Sequence, residues 1–118
     1  MTSIREQHER AMELADFAFA AKRVNDRETA ARLFHDALDH ERSAANAAAQ
    51  EKDAEPTRSV LYRSAASLAI QCAEYREAER MIAIALCGEP PEEIAEELRD
   101  LLVTVHKHLR KNAVEAAV

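Results

Sequence analysis

Apolar residues recur at intervals of three and four along most of the chain, the spacing that places them on one face of an α-helix. This pattern predicts five helices. The first three are expected over about residues 3–24, 27–50 and 56–73, the fourth begins near Tyr75 and ends near Gly88, and the fifth covers about residues 91–111. We therefore predict an all-α fold.

Residues that favour helix ends stand at several of the predicted boundaries. Ser3, followed by a glutamate three positions later, is typical of a capping box. Asn25 tolerates the left-handed conformation of a tight turn, and Asp26 can cap the next helix. Gly88 is expected to close the fourth helix in the left-handed conformation, before two prolines that cannot continue it.

The helices are expected to form two antiparallel hairpins, residues 3–50 and 56–88, followed by a capping helix over 91–111. They make one domain of 118 residues, which can bury a modest core. At 1.5 Å per residue, the helices of the first hairpin are about 33–36 Å long and those of the second about 20–27 Å. The first hairpin should therefore extend beyond the second, so that the alanine-rich segment 43–49 can receive another helix. Residues 112–118 are expected to fray.

The composition of the chain indicates how its helices pack. Alanine is abundant, only 4% of the residues are aromatic, and there are one glycine and three prolines. Because alanine favours helix and lets two helix backbones approach closely, this composition favours packed helices and gives no sign of a sheet. Ala18 and Ala66 must then point into the interior. Either Glu55 or Thr57 could cap the third helix.

The hairpin over residues 56–91 carries a recurring pattern of bulky and small residues. Its first helix has Tyr62, Ala65, Ala66 and Ala69, and its second helix has Tyr75, Ala78, Ile82 and Ala85 before Pro90. These positions resemble the 34-residue signature of tetratricopeptide repeats (TPRs). The chain departs from the signature at Ala65, Ala66 and Ala73, where the family usually has leucine, glycine and glycine. The segment Glu55–Thr104 also resembles a stretch of uncharacterised bacterial proteins that contain this hairpin.

A second copy of the pattern lies 48 residues earlier in the chain. Its positions are Leu14, Phe17, Ala18, Ala21, Ala30, Phe34 and Ala37. The two copies together cover most of the chain. The resemblance implies a TPR-like right-handed α-α superhelix made of two hairpins and a capping helix. It also implies a non-enzymatic protein–protein interaction module.

In TPR arrays, the first helix of each repeat lines a groove that binds an extended or helical peptide. Carried over to this sequence, the groove positions are Met12, Phe19, Lys22, Arg23, Arg63, Ser67, Ile70 and Gln71. Arg63, Ser67 and Gln71 share one helix face, a pattern that an ordinary solvated surface also produces. The lysine and asparagine pattern that binds a peptide carboxylate in some TPR proteins is absent, so that mode is not implied.

The charge of the chain is acidic and dispersed. Sixteen basic and 22 acidic residues give a formal net charge of -6 at pH 7, which argues against nucleic acid and anionic membranes as partners. Charged residues such as Arg5 and Glu9 stand where a signal peptide would need an apolar core, and no apolar run is long enough to span a bilayer. We expect a cytoplasmic protein that binds a protein or a peptide.

The sequence predicts no catalytic residue, no cofactor and no metal site. Its only glycine cannot form a phosphate-binding loop, and neither Cys72 nor Cys87 has the setting of an activated thiol or of a disulfide. No histidine follows a glutamate at the spacing of a di-iron motif. A zinc site that uses His35 and Asp39 is one alternative, and a helical bundle that binds a small ligand is another.

Self-association is a further hypothesis. Two hairpins and a capping helix are fewer units than repeat arrays usually need to bury a continuous core. The interface of a homodimer could be segment 43–49 or the apolar excess on the fifth helix, formed by Leu101, Leu102, Val105 and Leu109. In that case dimerisation could be the whole function of the chain.

Overall fold

The computed structural model describes residues 2–117, which form five α-helices and no strand. The helices are α1 (Ile4–Arg23), α2 (Arg27–Ala48), α3 (Thr57–Gln71), α4 (Tyr75–Leu86) and α5 (Glu92–Ala117). The all-α prediction is confirmed. The helices of the first hairpin, with 20 and 22 residues, are longer than those of the second, with 15 and 12. Within the described range, none of the helices has the length and apolar character needed to cross a membrane.

Three helices begin where a side-chain oxygen accepts a hydrogen bond from a backbone N–H of the first turn. Ser3 Oγ accepts from the N–H three residues later at 3.1 Å, and Asp26 Oδ1 does the same at 3.2 Å. At the start of α3, the N-cap residue is Pro56, and Glu55 Oε1, one residue earlier, accepts from the N–H of Ser59 at 2.9 Å, so Glu55 rather than Thr57 supplies the bond. Each such cap stabilises its helix by about 1 kcal/mol.

Both hairpin turns place a non-glycine residue in the left-handed conformation. Asn25, with φ 63°, lies in the α1–α2 turn as predicted, and Ala73, with φ 57°, lies in the α3–α4 turn. In the second turn, the N–H of Ala73 donates to Ile70 O at 3.0 Å and the N–H of Glu74 donates to Ala69 O at 2.9 Å. These bonds satisfy the last carbonyls of α3 and fix the shape of the turn.

Gly88 does not have the predicted role. It is not left-handed, since no described glycine has a positive φ. Instead, the absence of a side chain makes room for Arg58, because a Cβ at Gly88 would clash with its guanidinium group. Arg58 donates to the backbone oxygens of Ile84 at 2.6 Å and Ala85 at 3.3 Å. The side chain therefore binds the free carbonyls at the end of α4, which a left-handed glycine would otherwise satisfy.

Each helix packs against the next one in the chain, and α3 also packs against α5. Contacts between distant residues give the helix directions. His8, near the start of α1, contacts Glu41, late in α2, and Tyr75, at the start of α4, stacks on His108 of α5. In the same way, Tyr62 and Arg58, early in α3, contact Asn46, late in α2, and Ile84, late in α4. Consecutive helices are therefore antiparallel, so α1, α3 and α5 run in the same direction.

Small side chains form much of the core. Ala18 and Ala66 are fully buried, as predicted. Most signature positions of the second hairpin are buried as well, and Tyr75 is half-buried. The buried ones are Tyr62, Ala65, Ala66, Ala69, Ala78, Ile82 and Ala85. Because most of these side chains are alanine, α3 can approach its neighbouring helices closely.

Phe17 is the clearest exception to the predicted core. It was expected in the apolar stripe of α1 but is 59% exposed. At the 48-residue offset, Phe17 corresponds to Ala65 of α3. Ala65 lies on the same stripe of α3 as Leu61 and Cys72, and this stripe faces α2. Among the described helices, α1 has extensive contacts only with α2. The side of α1 that corresponds to this stripe is therefore left in solvent.

The last helix differs from its prediction in length. It continues to Ala117, so residues 112–117 are helical rather than frayed, and Val118 lies outside the described residues. The segment consists mainly of residues with good helix propensity and contains no stop signal. Val105 is fully buried, so it belongs to the core of the chain and is not available to a dimer interface.

Candidate interaction face

The predicted groove residues lie on α1 and α3, and two polar contacts connect these helices and α5. Lys22 Nζ of α1 donates a hydrogen bond to Gln71 Oε1 of α3 at 2.9 Å. Arg63 Nη1 of α3 donates to Glu97 Oε2 of α5. The three parallel helices therefore share one face of the molecule. We call the surface that carries these four residues the candidate interaction face.

A cleft of about 370 Å³ lies between α3 and α5 on this face. Its lining residues are Arg63, Ser67, Glu97, Asp100, Leu101 and Thr104. The side chains of Arg63 and Glu97 are 30% and 56% exposed. An ion pair this exposed contributes at most about 1 kcal/mol, so it can exchange partners at small cost when another molecule binds.

A second cleft, of about 450 Å³, lies at the other end of the face, beside the α1–α2 turn. It is lined by Lys22, Asn25, Arg27, Ala30, Ala31, Phe34 and Gln71. The charged residues here, Lys22 and Arg27, are basic, whereas the α3–α5 cleft contains two carboxylates. The face is thus basic at one end and has acidic groups at the other.

Phe19 is the aromatic residue predicted for this face. Its side chain is 39% exposed, and its ring packs edge to face on the buried ring of Phe34, with centroids 4.9 Å apart at 82°. The contact with Phe34 holds the ring in place while part of it stays accessible. An ordered, partly exposed aromatic ring is typical of an anchor residue in a protein interface.

The other predicted residues differ in accessibility. Met12 and Ile70 are half-buried and pack against the core, so only part of each can contact another molecule. Arg23 is exposed, and Ser67 is half-buried at the α3–α5 cleft. The sequence pattern assigned all of them to one face but could not separate core contacts from free surface.

Glu41 is a buried carboxylate that was not predicted. It is fully buried, and both its oxygens lie 2.9 Å from Nδ1 of His8. The pair joins α1 to α2. Its sequence signal was the position of a charged residue between Leu38 and Ala45 on the apolar stripe of α2.

A third cleft, of about 810 Å³, lies where the start of α1, the end of α2 and the start of α3 meet. Ile4, His8, Ala48 and Leu61 are among its lining residues. The cleft borders segment 43–49, which was expected to receive another helix, either from this chain or from a second copy. Ala44, Ala45 and Ala48 of that segment are buried by the chain itself.

His35 of α2, Cys72 at the end of α3 and Glu74 before α4 form a cluster beside the α3–α4 turn. One potential ligand atom of each side chain lies within 4.8 Å of the others, and His35 Nδ1 is 3.4 Å from Glu74 Oε2. Asp39 is bonded to Arg42 at 2.8 Å and is not part of the cluster. Burial, followed by the charges of Glu74 and Asp39, raises the pKa of Cys72 to about 11. The thiol is therefore not an activated nucleophile.

Comparison with known proteins gives no match to a protein-family model, a curated protein or a solved structure. The function must therefore be inferred from the residues and contacts described above.

Proposed function

We propose that the chain is a non-enzymatic, TPR-like protein–protein interaction module, and that α1, α3 and α5 form its binding face. The observation that carries the proposal is the alignment of these three helices by the Lys22–Gln71 and Arg63–Glu97 contacts. They are the first helices of the two hairpins and the final helix. A TPR-like right-handed α-α superhelix uses these helices to line its groove.

Burial at equivalent positions supports the repeat frame. At the 48-residue offset, Ala18 corresponds to Ala66 and Ala37 to Ala85, and all four are fully buried. Two hairpins that bury the same positions can pack in the same way, as successive repeats do. Phe17 and Ala65, which also correspond, differ in burial because no described helix covers the outer side of α1.

The charge distribution of the face indicates what kind of partner it suits. Phe19 offers an apolar contact, Lys22 and Arg23 lie toward the basic end, and Glu97 and Asp100 toward the other. An extended peptide with an apolar side chain and charges of opposite sign at its two ends would complement this arrangement. Partners with these properties are proteins or peptides rather than nucleic acid, since the chain carries a net charge of -6.

The test is affinity capture from the native cell with four single variants beside the wild type. Phe19→Ala and Arg63→Ala remove side chains of the face. Their matched controls are Phe17→Ala, which removes an exposed ring from another side of α1, and Arg76→Ala, which removes an exposed guanidinium group from α4. We expect the first two variants to lose the captured partner at least about tenfold, as hot-spot truncations above 1.4 kcal/mol do, and the controls to retain it.

Equal capture by all five proteins would contradict the proposal, and so would loss that is confined to the two controls. Phe19→Ala also removes the contact with Phe34, so its fold must be checked by circular dichroism and urea unfolding. Arg63 makes its polar contact at the surface, so Arg63→Ala tests the face without disturbing the core.

A second candidate function is the binding of a small apolar ligand in the cleft where α1, α2 and α3 meet. Its volume of about 810 Å³ is in the range of small-molecule sites, roughly 300–1,000 Å³. His8, which lines the cleft and contacts the buried Glu41, would supply a polar contact. Native mass spectrometry of protein purified from its own cell tests this candidate, because a bound organic molecule would appear as a fixed mass increment that Leu61→Trp abolishes.

A further inference from the structure

The cluster of His35, Cys72 and Glu74 combines an imidazole, a thiol and a carboxylate. These are the three side-chain types that bind zinc in proteins. Their potential ligand atoms lie within 4.8 Å of one another, so small side-chain rotations are enough to bring all three onto one ion. The mixed sulfur, nitrogen and oxygen set favours a first-row divalent cation over magnesium or calcium, which prefer oxygen alone.

The backbone presents two of these side chains in a fixed arrangement. Cys72 ends α3 and Glu74 precedes α4, with the left-handed Ala73 between them. Backbone hydrogen bonds from these three residues to α3 hold the turn. The Glu74 carboxylate makes no capping hydrogen bond to α4; its contact is with His35 of α2. A carboxylate that could have capped a helix is thus directed toward a histidine and a thiol.

We propose that His35, Cys72 and Glu74 bind a zinc-class divalent cation that links α2 to the α3–α4 turn. Cys72 binds as the thiolate, so its proton passes to water when the ion is bound. Three protein ligands leave a fourth tetrahedral position for water. His35 and Glu74 are each about half exposed, which gives the ion a path from solvent.

This proposal departs from the sequence-based expectation of no metal site, and also from the alternative of His35 with Asp39. Asp39 follows His35 by one helical turn, but its carboxylate is bonded to Arg42. The ion would join the two hairpins at the end of the molecule where the α3–α4 turn lies. Binding of the ion is expected to make separation of the two hairpins harder. This proposal does not depend on the proposed interaction face.

The test is a Co²⁺ titration of tag-free, reduced protein, followed by competition with Zn²⁺. A thiolate ligand gives Co²⁺ an intense near-ultraviolet charge-transfer band, which shows directly that sulfur is bound to the ion. The test variants are Cys72→Ser, His35→Asn and Glu74→Gln. Each has a matched control outside the cluster: Cys87→Ser, which removes the exposed second cysteine, His106→Asn, whose ring contacts Glu79, and Glu115→Gln, which changes an exposed glutamate near the end of α5.

We expect the band in the wild type and in all three controls, its loss in Cys72→Ser, and at least about tenfold weaker binding in His35→Asn and Glu74→Gln. Zn²⁺ should displace Co²⁺ and raise the urea midpoint of the wild type but not of Cys72→Ser. The proposal is overturned if the wild type gives no band, if the band persists in Cys72→Ser, or if the controls weaken binding as much as the cluster variants. His35 and Glu74 are on the surface, so their variants keep the test valid even if Cys72→Ser unfolds.

Discussion

At the scale of single residues, the turn at Ala73 holds an alanine where the backbone favours glycine. Its φ of 57° places the Cβ close to the backbone, at a cost of roughly 1–2 kcal/mol for a residue that is not glycine. Ala73→Gly removes this cost but makes the unfolded chain more flexible, so we expect a net gain of about 0.5–1 kcal/mol. Urea unfolding followed by circular dichroism measures the change.

The matched control for this prediction is Ala83→Gly. Ala83 is exposed in the interior of α4, where the same substitution should destabilise the protein by about 1 kcal/mol. A loss of stability in Ala73→Gly, similar to that in Ala83→Gly, would show that residue 73 does not hold the left-handed conformation in solution.

The contact between Gly88 and Arg58 supports a second prediction at the residue scale. In Gly88→Ala the new methyl group displaces the Arg58 guanidinium from the carbonyls of Ile84 and Ala85. Loss of these charge-assisted hydrogen bonds should destabilise the protein by about 1–2 kcal/mol. In an Arg58→Ala background the same change should cost less than about 0.5 kcal/mol, because there is no guanidinium left to displace. An equal cost of Gly88→Ala in both backgrounds would rule out this explanation.

At the scale of the helices, the arginines around Glu77 connect α4 to α2. Glu77 accepts hydrogen bonds from Arg80 on its own helix and from Arg42 of α2. The bonds from Arg80, and then the charges of Arg80 and Arg42, hold the pKa of Glu77 below its ordinary value of 4.5. The charged carboxylate is thus favoured in the folded state, so its contribution to stability is present above pH 4.5 and is lost as the pH falls through the lowered pKa.

We therefore expect acid to destabilise the wild type more than Glu77→Gln between pH 4.5 and the lowered pKa. The difference should be below about 1 kcal/mol, because the groups are partly exposed. Urea midpoints at a series of pH values measure it, and Glu115→Gln, at an exposed position near the end of α5, is the control. Identical pH dependence in the wild type and Glu77→Gln would contradict this role of Glu77.

The helices themselves could be predicted from the sequence because their signals are local. The boundaries of the first four lie within two residues of the expected ones, since Ser3, Asn25 and Asp26 act on adjacent backbone groups. The prediction for Gly88 was wrong because a distant residue decided the outcome. Gly88 leaves space for Arg58, thirty residues earlier, and this use of glycine has no pattern in the sequence.

The candidate sites were harder to predict than the helices, because they depend on tertiary contacts. The repeat pattern predicted that Arg63, Ser67 and Gln71 share one face of a helix. It did not predict the contacts of that face with Lys22 and Glu97. His35 is separated from Cys72 and Glu74 by most of α2 and all of α3. Only the packing of α2 against the α3–α4 turn brings the three together, so their spacing along the chain forms no metal-binding motif.

At the scale of the whole molecule, the chain is elongated, with extents of 47 × 29 × 23 Å and a radius of gyration of 14.7 Å. A compact chain of this length would have a radius of gyration of about 13.5 Å. The elongation gives a small protein a long exposed face along α1, α3 and α5. Self-association stays a prediction; with Val105 buried, only the half-buried Leu101, Leu102 and Leu109 of the expected set could contribute to a dimer.

Hydroxyl-radical footprinting of the chain with its captured partner tests the proposed binding face most directly. Phe17 and Phe19 lie on the same helix, are 59% and 39% exposed, and carry the same reactive ring, so each serves as the internal standard for the other. We predict that the partner protects Phe19 from oxidation and leaves Phe17 unchanged. Protection of Phe17 with no protection of Phe19 would show that the partner binds another side of α1, and would contradict a binding face on α1, α3 and α5.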